Sequence, residues 1–414
     1  MRTTFATLFV CAAIAATGSL TAIADSGGSS IAGANPAVKA GRAGVCQIGP
    51  GLGSTLLVPY FEVDLTDING PNTLISVNNG LANSTLTRLV VWSDWGIPTL
   101  AFDIYLEGFD VQTINVRSLF NGNIPSTGDG ADLSGFPYCG SLPPNHANPA
   151  LTPGEREQLK TALTGQAGHI DGLCYGDSYG DQVARGYITV DVVDECSGLE
   201  GTGPVFTPAN LAYPYFAEGG GSAGIGIVDN RLWGDVVYVD FTNNFAQGSE
   251  AVSLWADPDE FTTSNIFTFY GRHSGYDGRD ERVPLPYRWD QRFLNGGAFA
   301  GGADLIVFHL PNHSASSPIS CGTTPVWWPL DATIGSLDES GENYTSYAAT
   351  SFPNVTQRTS IGTLAPPYDF GWIQIDPGYE QMWVEPSLSA QGRLSAGFNG
   401  FPVEFLCDKS PPAN

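Results

Sequence analysis

The stretch LISVNNGLANSTLTRLVVWSDW, from Leu74 to Trp95, is the main indication of the fold of this chain. It is typical of a strand, an Asn-Asn turn and a second apolar strand that ends in Trp-Ser-Asp. A weaker copy, VDFTNNFAQGSEAVSLWAD, runs from Val239 to Asp257. Both copies continue from Asn-Asn through a small polar loop to an apolar run that closes on Trp-x-Asp. This duplication predicts two related β-domains, and the alternative is that β-proteins reuse Asn-containing turns.

The composition favours many short strands joined by turns. The chain has 414 residues, of which 42% are hydrophobic and only 14% are charged. It also holds 51 Gly and 29 Pro, which are the residues that most often interrupt regular structure. The length favours more than one domain, and regular short strands between turns are typical of β-sandwiches. We therefore expect an all-β fold of two immunoglobulin-like β-sandwich domains, the first with a short helical insertion.

The predicted boundaries follow shifts in composition. Arg2, the apolar run Phe5–Ala16 and the small-x-small triplet Ala22-Ile23-Ala24 are typical of a secretory signal peptide. Gly-rich stretches follow the signal peptide and recur near the middle of the chain. The predicted divisions are a signal peptide at 1–24, a flexible segment at 25–45, a first sandwich at 46–197, a Gly/Pro-rich linker at 198–226, a second sandwich at 227–408 and a tail at 409–414.

Local patterns in the first half predict individual elements. Pro59 places a bend or a sheet edge in the run Ser54–Leu65. Apolar and acidic residues alternate in Ala101–Glu107, which predicts a half-buried strand with its acids on the outer face. The sequence Thr152-Pro153-Gly154-Glu155 is a capping box with Pro at the first helical position, so a helix is predicted near 152–164.

The formal net charge of −25 limits the partners of the protein. Phosphate binding needs basic patches, so we expect no nucleic acid partner. No apolar run after the signal peptide is long enough for a membrane span. The acidity favours solubility outside the cell; weak calcium sites are the alternative, and no other cofactor is expected. The expected location is secreted, periplasmic or extracellular, with a protein or a glycan at the cell surface left open as partner.

Six cysteines remain after removal of the signal peptide, and an even number in an exported chain predicts disulfides. The sequence has no Cys-x-x-Cys pair, which disfavours a zinc site. Six cysteines allow fifteen connectivities, so sequence alone does not decide among them. Our prediction pairs Cys46 with Cys196, Cys139 with Cys174, and Cys321 with Cys407.

Two motifs suggest chemistry, and each has a simpler structural explanation. Gly176–Gly180 matches the G-x-S-x-G pattern around Ser178, but the required strand before it and helix after it are not indicated. His309 and His313 are four residues apart near Cys321, but a proline lies between them, whereas a zinc pair at this spacing needs a helix. A Gly-rich loop and a strand end explain these stretches, so no catalytic residue is assigned.

Acidic loops give a weak indication of calcium. Asp67, Asn69 and Gly70 resemble the centre of a calcium loop, but Leu65 and Ser76 stand where ligands are required. Two further acidic loops that could bind calcium weakly are Asp257–Glu260 and Asp338-Glu339.

Tryptophans and sequons give weak indications of sugars. Tryptophan in a sandwich is a core anchor more often than a sugar platform; the candidates are Trp92, Trp95, Trp327 and Trp328. The Asn-x-Ser/Thr sequons matter only where exported proteins are glycosylated; they begin at Asn83, Asn312, Asn343 and Asn354.

Most of the mature chain resembles a group of uncharacterised secreted proteins of Gram-negative bacteria. The resemblance rests on three stretches: WSDWGIPTLAFDIYLEGFDVQTINVRSLFNG (Trp92–Gly122), RGYITVDVVDEC (Arg185–Cys196) and LNGGAFAGGADLIVFHL (Leu294–Leu310). It implies export and brings no activity, cofactor or site residue.

The expected function is therefore that of a secreted structural or interaction protein of the bacterial cell exterior. A carbohydrate-active or other extracellular hydrolase is the first alternative. It would need a defined pair of carboxylates, and the sequence does not single out a pair among 42 acids. A calcium-dependent adhesin is the second alternative.

Overall fold

The computed structural model describes most of the chain after residue 50. The described residues are 51–125, 127, 150–168, 172–193, 196, 227, 229–255, 285–286, 288–300, 302–310, 319–323, 330–340, 344–364, 368–378, 380–390 and 404–405. The predicted signal peptide, flexible segment, linker and tail lie outside them and stay predictions.

The described residues form mostly strands, which confirms an all-β fold. The strands are β1 (Thr55–Asp64), β2 (Asn72–Asn79), β3 (Thr85–Ser93), β4 (Pro98–Leu106), β5 (Val111–Asn115), β6 (Leu173–Cys174), β7 (Val183–Val193), β8 (Leu232–Asp240), β9 (Phe245–Glu250), β10 (Val252–Leu254), β11 (Trp289–Leu294), β12 (Ala303–His309), β13 (Ile319–Ser320), β14 (Leu330–Leu337), β15 (Tyr344–Phe352), β16 (Thr356–Ser360), β17 (Phe370–Asp376), β18 (Met382–Leu388) and β19 (Glu404–Phe405). The α-helices are α1 (Val116–Phe120) and α2 (Pro153–Leu163), and short 3-10 helices span Gly297–Phe299 and Ile361–Leu364. None of the helices in the described ranges is long and apolar enough to cross a membrane.

Two antiparallel sheets form a first sandwich. A five-stranded sheet has the order β10-β1-β7-β3-β4, and a four-stranded sheet has the order β5-β2-β8-β9. Leu56 and Val58 of β1 pack against Ile75 of β2 and Val236 of β8 in the core between the two sheets. Buried and more exposed residues alternate along β8, so one face of this strand covers the core.

A second pair of sheets encloses its own core. A five-stranded sheet has the order β15-β14-β17-β11-β19, and a three-stranded sheet has the order β16-β12-β18. Trp289 and Phe293 of β11 pack with Val307 of β12, Ile373 of β17 and Val384 of β18. Sandwich packing is therefore present in both halves, while an immunoglobulin-like strand topology stays a prediction.

A third core joins the two halves. It lies between the outer face of the first five-stranded sheet and the three-stranded sheet, and it contains Leu57, Trp92, Tyr187, Phe308 and Val355. Both faces of the first five-stranded sheet are therefore covered, and β3 is buried at every position. Because β12 has one face in the second core and the other toward the first sandwich, it contributes to both halves.

The covered outer face corrects one prediction about β4. The apolar face of Ala101–Glu107 does enter the first core, through Phe102 and its neighbours. The acid Asp103 on the other face is only 7% exposed, however, and pairs with Arg88 at 2.9 Å. The acid does not face solvent because a second layer packs on this side of the sheet, and the buried charge has a partner there.

The sheets do not divide at the predicted linker 198–226. Strands β8 and β9 follow that segment, yet they extend the four-stranded sheet through the pairing of β2 with β8. Strand β10 pairs with β1 in the five-stranded sheet. The stretch from Leu232 to Leu254 therefore belongs with the first sandwich.

The two copies of the Asn-Asn stretch also differ in structure. In the first copy, β2 and β3 lie in different sheets, and the Asn79 side chain donates hydrogen bonds to the backbone carbonyls of Asn83 and Glu107 where the chain crosses. In the second copy, Asn243 and Asn244 form a hairpin turn between β8 and β9. Both copies add strands to the same two sheets, so the second copy does not open a separate domain.

The disulfide pairing differs from the prediction. Cys174 is bonded to Cys321, next to a two-stranded sheet formed by β6 and β13. The predicted pairs of Cys174 with Cys139 and of Cys321 with Cys407 are therefore wrong, because the prediction kept each pair within one domain. Cys196 is also disulfide-bonded. The other three cysteines of the prediction, Cys46, Cys139 and Cys407, lie outside the described residues, so the pair of Cys46 with Cys196 stays a prediction.

Helix α2 confirms the capping prediction. The Thr152 backbone N–H donates to Glu155 Oε2 at 2.7 Å, and the Glu155 N–H donates to Thr152 Oγ1 at 3.3 Å. The helix buries Leu159 and Leu163 against the first core. It is therefore an insertion packed on the first sandwich.

Candidate functional site

A cleft of about 290 Å³ opens where the three-stranded sheet meets the first sandwich. Strands β1, β2, β8 and the β8–β9 turn form one wall, and strands β12, β16 and β18 form the other. Tyr60, Tyr238 and Phe245 supply the aromatic part of the lining. The volume is close to the lower end of clefts that hold small organic ligands.

The strand register explains why charged residues gather on the second wall. Asp304 of β12 lies opposite Ser387 of β18, while Ile306 lies between Arg358 of β16 and Glu385 of β18. Residues directly opposite in an antiparallel pair share a face of the sheet. These five side chains therefore share the face that meets the first sandwich.

Arg358 is the centre of the charged lining. Its NH1 lies 2.9 Å from Glu62 Oε2, and its Nε lies 3.0 Å from Asp304 Oδ2. Its NH2 donates to Ser387 Oγ, and the guanidinium carbon is 5.7 Å from the centroid of the Phe245 ring. Burial alone would lower the pKa of Arg358, but the nearby acids outweigh burial and raise it. Burial raises the pKa of Asp304, and the charge of Arg358 opposes that shift.

Glu62 extends the charged network along the first five-stranded sheet. Its Oε1 lies 3.5 Å from NH2 of Arg185, its cross-strand neighbour on β7. Arg185 also pairs with Asp181 at 2.8 Å, and its guanidinium lies 4.4 Å from the centroid of the Tyr179 ring. Burial opposes the charge of Arg185, but its acidic neighbours raise its pKa overall. Glu62 is thus held between two arginines, one on each side of the seam between the sheets.

Asp94 forms a buried polar node at the end of β3. Its carboxylate accepts hydrogen bonds from the Asp177 backbone N–H at 3.1 Å, from Asn354 Nδ2 at 3.3 Å and from the Tyr179 hydroxyl at 3.5 Å. Burial raises the pKa of Asp94 well above its usual value. A Cβ at Gly176 would stand 2.4 Å from Asp94 Oδ1, so this position needs glycine. The node ties the G-x-S-x-G loop and the β15–β16 turn to β3.

The G-x-S-x-G loop has a different environment from a nucleophile elbow. Ser178 is exposed, and its backbone N–H donates to Asp177 Oδ1 at 2.9 Å. The loop follows the two-residue strand β6 and leads into the long strand β7. An elbow instead joins a strand to a helix so that the serine hydroxyl meets a base.

Glu385 is a buried acid behind the cleft. It is 1% exposed and accepts a hydrogen bond from Ser249, while its Oε1 has no hydrogen-bond partner in the part of the chain that the structure describes. Burial raises the pKa of Glu385 from 4.5 to about 7. Gln247 connects β9 to β18 in the same region. Its Nε2 donates to the Pro386 carbonyl oxygen at 2.7 Å, and its Oε1 accepts from the Leu388 N–H at 3.1 Å.

The predicted histidine pair is not assembled within the described residues. His309 is buried at the end of β12, where Nδ1 lies 3.2 Å from the Leu310 carbonyl oxygen. Burial lowers the pKa of His309 to about 4, so the ring is neutral. Cys321 is in the disulfide with Cys174, and His313 lies outside the described residues.

The candidate calcium loop between β1 and β2 already contains a cation. The Arg117 guanidinium donates to the carbonyl oxygens of Ile68 at 2.6 Å, Pro71 at 2.8 Å and Gly70 at 3.0 Å. Asp67 accepts from the Asn69 N–H at 2.9 Å. Calcium needs such carbonyl and carboxylate oxygens as ligands, and here they are engaged by Arg117 and by the loop itself.

Several other sequence candidates occupy structural positions. Trp92 is fully buried; its Nε1 donates to Thr189 Oγ1 at 2.8 Å, and its ring stacks on Tyr187. Asn354 is 3% exposed inside the Asp94 node, so this sequon is not accessible in the folded protein. Asp338 accepts a bond from Ser340 in the β14–β15 turn. Candidates outside the described residues are Trp327, Trp328, Asn312, Asn343 and Asp257–Glu260.

The sequence prediction missed the residues that shape the cleft. Glu62, Asp304 and Glu385 are each an acid within a short apolar strand. Such an acid, flanked on both sides by apolar residues, indicates a charge that is buried and needs a partner. This signal could have selected all three acids, although not Arg358, which is the shared partner of Glu62 and Asp304.

Comparisons with protein-family models, with curated proteins and with solved structures found no match. The resemblance to uncharacterised secreted proteins stays a prediction.

Proposed function

We propose that the protein is an exported structural or interaction protein that binds a partner in the cleft without converting it chemically. Export is supported by the signal-like N-terminus and by the Cys174–Cys321 disulfide, since disulfides persist mainly in oxidising compartments. Binding is supported by the composition and rigidity of the cleft.

The observation that carries this proposal is the fixed geometry of the charged lining. Arg358 bonds to Glu62 and Asp304, and Asp240 accepts hydrogen bonds from the backbone and side chain of Asn243. Side chains that are already held lose little conformational freedom when a ligand arrives. A preorganised polar wall next to aromatic rings is therefore suited to recognition.

The test combines binding with analysis of the recovered ligand. Cellohexaose, chitohexaose and a set of Gly-X-Gly tripeptides are titrated into the purified mature protein, and each ligand is then examined by mass spectrometry. We expect at least one ligand to bind, to be recovered intact, and to be lost with Asp304→Asn. The matched control Asp331→Asn removes an exposed acid of β14 and leaves binding unchanged. Conversion of the bound ligand would contradict the proposal.

An extracellular hydrolase is the second candidate, and one observation favours it. Arg358 brings the carboxylates of Glu62 and Asp304 to the same cleft, and burial raises the pKa of Asp304. A pair of carboxylates, one with a raised pKa, is what glycoside hydrolysis uses. Release of reducing ends from a polysaccharide, abolished by both Glu62→Gln and Asp304→Asn, would establish this activity. Intact polysaccharide after prolonged incubation would exclude that substrate.

A further inference from the structure

We propose that the cleft binds an organic cation, namely an alkylammonium or a guanidinium group. This inference rests on the proposed binding function and adds the chemical class of the ligand. The group can belong to a free amine or to a Lys or Arg side chain on a partner, because both present the same chemistry.

The charge balance of the lining favours a cation. Among the described residues that line the cleft, three are acids, Glu62, Asp240 and Asp304, and one is a base, Arg358. The whole chain carries a formal charge of −25, which attracts cations and repels anions at long range. An anionic ligand would meet unfavourable charge both on approach and in the cleft.

Arg358 shows how this surface holds a guanidinium group. Carboxylates accept its N–H groups on two sides, and an aromatic ring lies beneath it. Paired carboxylates supply directional charge-assisted hydrogen bonds, and the ring face adds cation–π attraction. The internal side chain thus displays the chemistry that a second cation would use.

The cleft leaves room for that second cation, and behind it lies an acid with one oxygen that has no hydrogen-bond partner among the described residues. Ser387 and Ser389 line the cleft, and Glu385 lies on the same face of β18, since residues two apart along a strand share a face. Glu385 is 1% exposed, and within the described ranges no hydrogen-bond partner contacts its Oε1. A cation near the two serines would supply favourable charge to this carboxyl.

The positions of the acids favour an extended ligand over a point charge. Glu62 lies on β1, Asp304 on β12, and Asp240 at the end of β8, so they stand on three different strands around the cleft. A polyamine, or a basic side chain with its adjacent peptide groups, has donors that are spaced along a chain. Such a ligand can reach separate acids at the same time.

Calorimetric titration of the full mature protein with agmatine, spermidine and the peptide Gly-Arg-Gly tests the inference. We expect saturable binding that weakens as salt is raised, because charge attraction is screened. Asp304→Asn removes one charged hydrogen-bond partner and should weaken binding about tenfold or more. Ser389→Lys places a positive charge in the cleft without removing a native ion pair and should abolish binding. Asp331→Asn is the matched control and should leave it unchanged.

The outcomes separate the ligand class from the binding function. Tighter binding of Gly-Arg-Gly than of agmatine identifies a side chain on a partner as the source, and the reverse order identifies a free amine. Absence of cation binding, or binding that survives both cleft variants, overturns the inference. Glucose and calcium chloride are titrated in the same way. A protein that binds either of them, but none of the three organic cations, also overturns the inference. If glucose binds, is recovered intact and is lost in both cleft variants, the binding function stands while the cationic class fails.

Discussion

Replacing Glu385 by Gln should change how the stability of the fold depends on pH. The folded protein raises the pKa of this buried carboxyl from 4.5 to about 7. Below pH 4.5 the carboxyl group is protonated in both the folded and the unfolded chain, so its burial does not lower the unfolding free energy. Between pH 4.5 and 7 only the unfolded chain releases the proton, and stability therefore falls as pH rises. Above pH 7 the full penalty is present.

The size of this penalty follows from the raised pKa. Each pKa unit corresponds to about 1.4 kcal/mol, so the shift from 4.5 to about 7 gives a penalty of roughly 3 kcal/mol at pH 8. Glu385→Gln keeps the shape of the side chain and removes its charge. The gain in unfolding free energy of the variant over the wild type should therefore grow by roughly 3 kcal/mol from pH 4 to pH 8.

Urea unfolding followed by tryptophan fluorescence at pH 4, 5.5, 7 and 8 measures this difference. The introduced amide has its own hydrogen-bonding requirements, which shift the variant by the same amount at every pH. The pH dependence of the difference is therefore diagnostic, and its absolute value is not. Glu250→Gln is the matched control, because Glu250 is exposed on the neighbouring strand β9. Two stability curves that run parallel for Glu385→Gln and the wild type would refute the reasoning.

Three further variants test other parts of the structure. Burial lowers the pKa of the His309 ring to about 4, so the unfolding free energy of the wild type should fall by roughly 3 kcal/mol between pH 6.5 and pH 4. His309→Gln should remove this decrease. Replacing Cys174 and Cys321 by Ala opens a loop with a sequence separation of 147 and should lower the unfolding free energy by about 3–5 kcal/mol, measured as a lower urea midpoint. Gly176→Ala places a Cβ 2.4 Å from Asp94 Oδ1 and should cost about 1–3 kcal/mol in the same assay.

Each of these variants has an outcome that contradicts its premise. If the unfolding free energy of His309→Gln falls below pH 6.5 as much as that of the wild type, the ring of His309 is already protonated in the folded protein. An unchanged urea midpoint for the double cysteine variant would mean that the disulfide does not limit the unfolded chain. Gly154→Ala is the control for Gly176→Ala, since among the described residues no atom beyond the adjacent backbone of its own helix lies within 4 Å of its added Cβ. Equal effects of the two variants would remove the clash as the cause.

Local sequence patterns predicted local structure, whereas sheet membership could not be predicted. The capping box at Thr152 and Glu155 depends on residues three apart, so the sequence contains all of its determinants. The pairing of β2 with β8 joins segments that are about 160 residues apart, as in the bond from Ser76 Oγ to Asp235 at a separation of 159. Such pairing is set by the closure of a shared core, which no local window contains. For this reason, strands on both sides of the predicted linker at 198–226 belong to the same sheets.

The cleft was beyond prediction for a related reason. An acid in an apolar strand, such as Asp304, indicates burial but not its partner. Arg358 lies in the polar strand β16, where sequence alone suggests an exposed side chain. Only the register of β16 and β18 on β12 brings these residues to one face. The motifs that sequence patterns did single out, around Ser178 and His309, instead lie at a loop and a buried strand end.

Pro59 explains how one strand serves both the core and the cleft. Leu56, Val58 and Tyr60 enter the first core at even-numbered positions, and beyond them Phe61 and Val63 enter it at odd-numbered positions. The pairing of β1 with β7 shifts register between Val58 and Phe61, so a bulge exchanges the two faces of the strand. The strand is therefore irregular at Pro59, where the sequence predicted a bend or a sheet edge.

The exchange of faces determines the position of Glu62. Without the bulge, Glu62 would continue the even-numbered series into the first core, where an unpaired carboxylate is strongly disfavoured. With the bulge, it meets Arg358 on the three-stranded sheet at 2.9 Å. Pro59 has no N–H to lose from the ladder, and its carbonyl accepts a hydrogen bond from Thr356 Oγ1 at 2.5 Å. One proline thus places the acid in the cleft and holds β16 against β1, so the geometry of the proposed binding site follows from the packing of the two sheets.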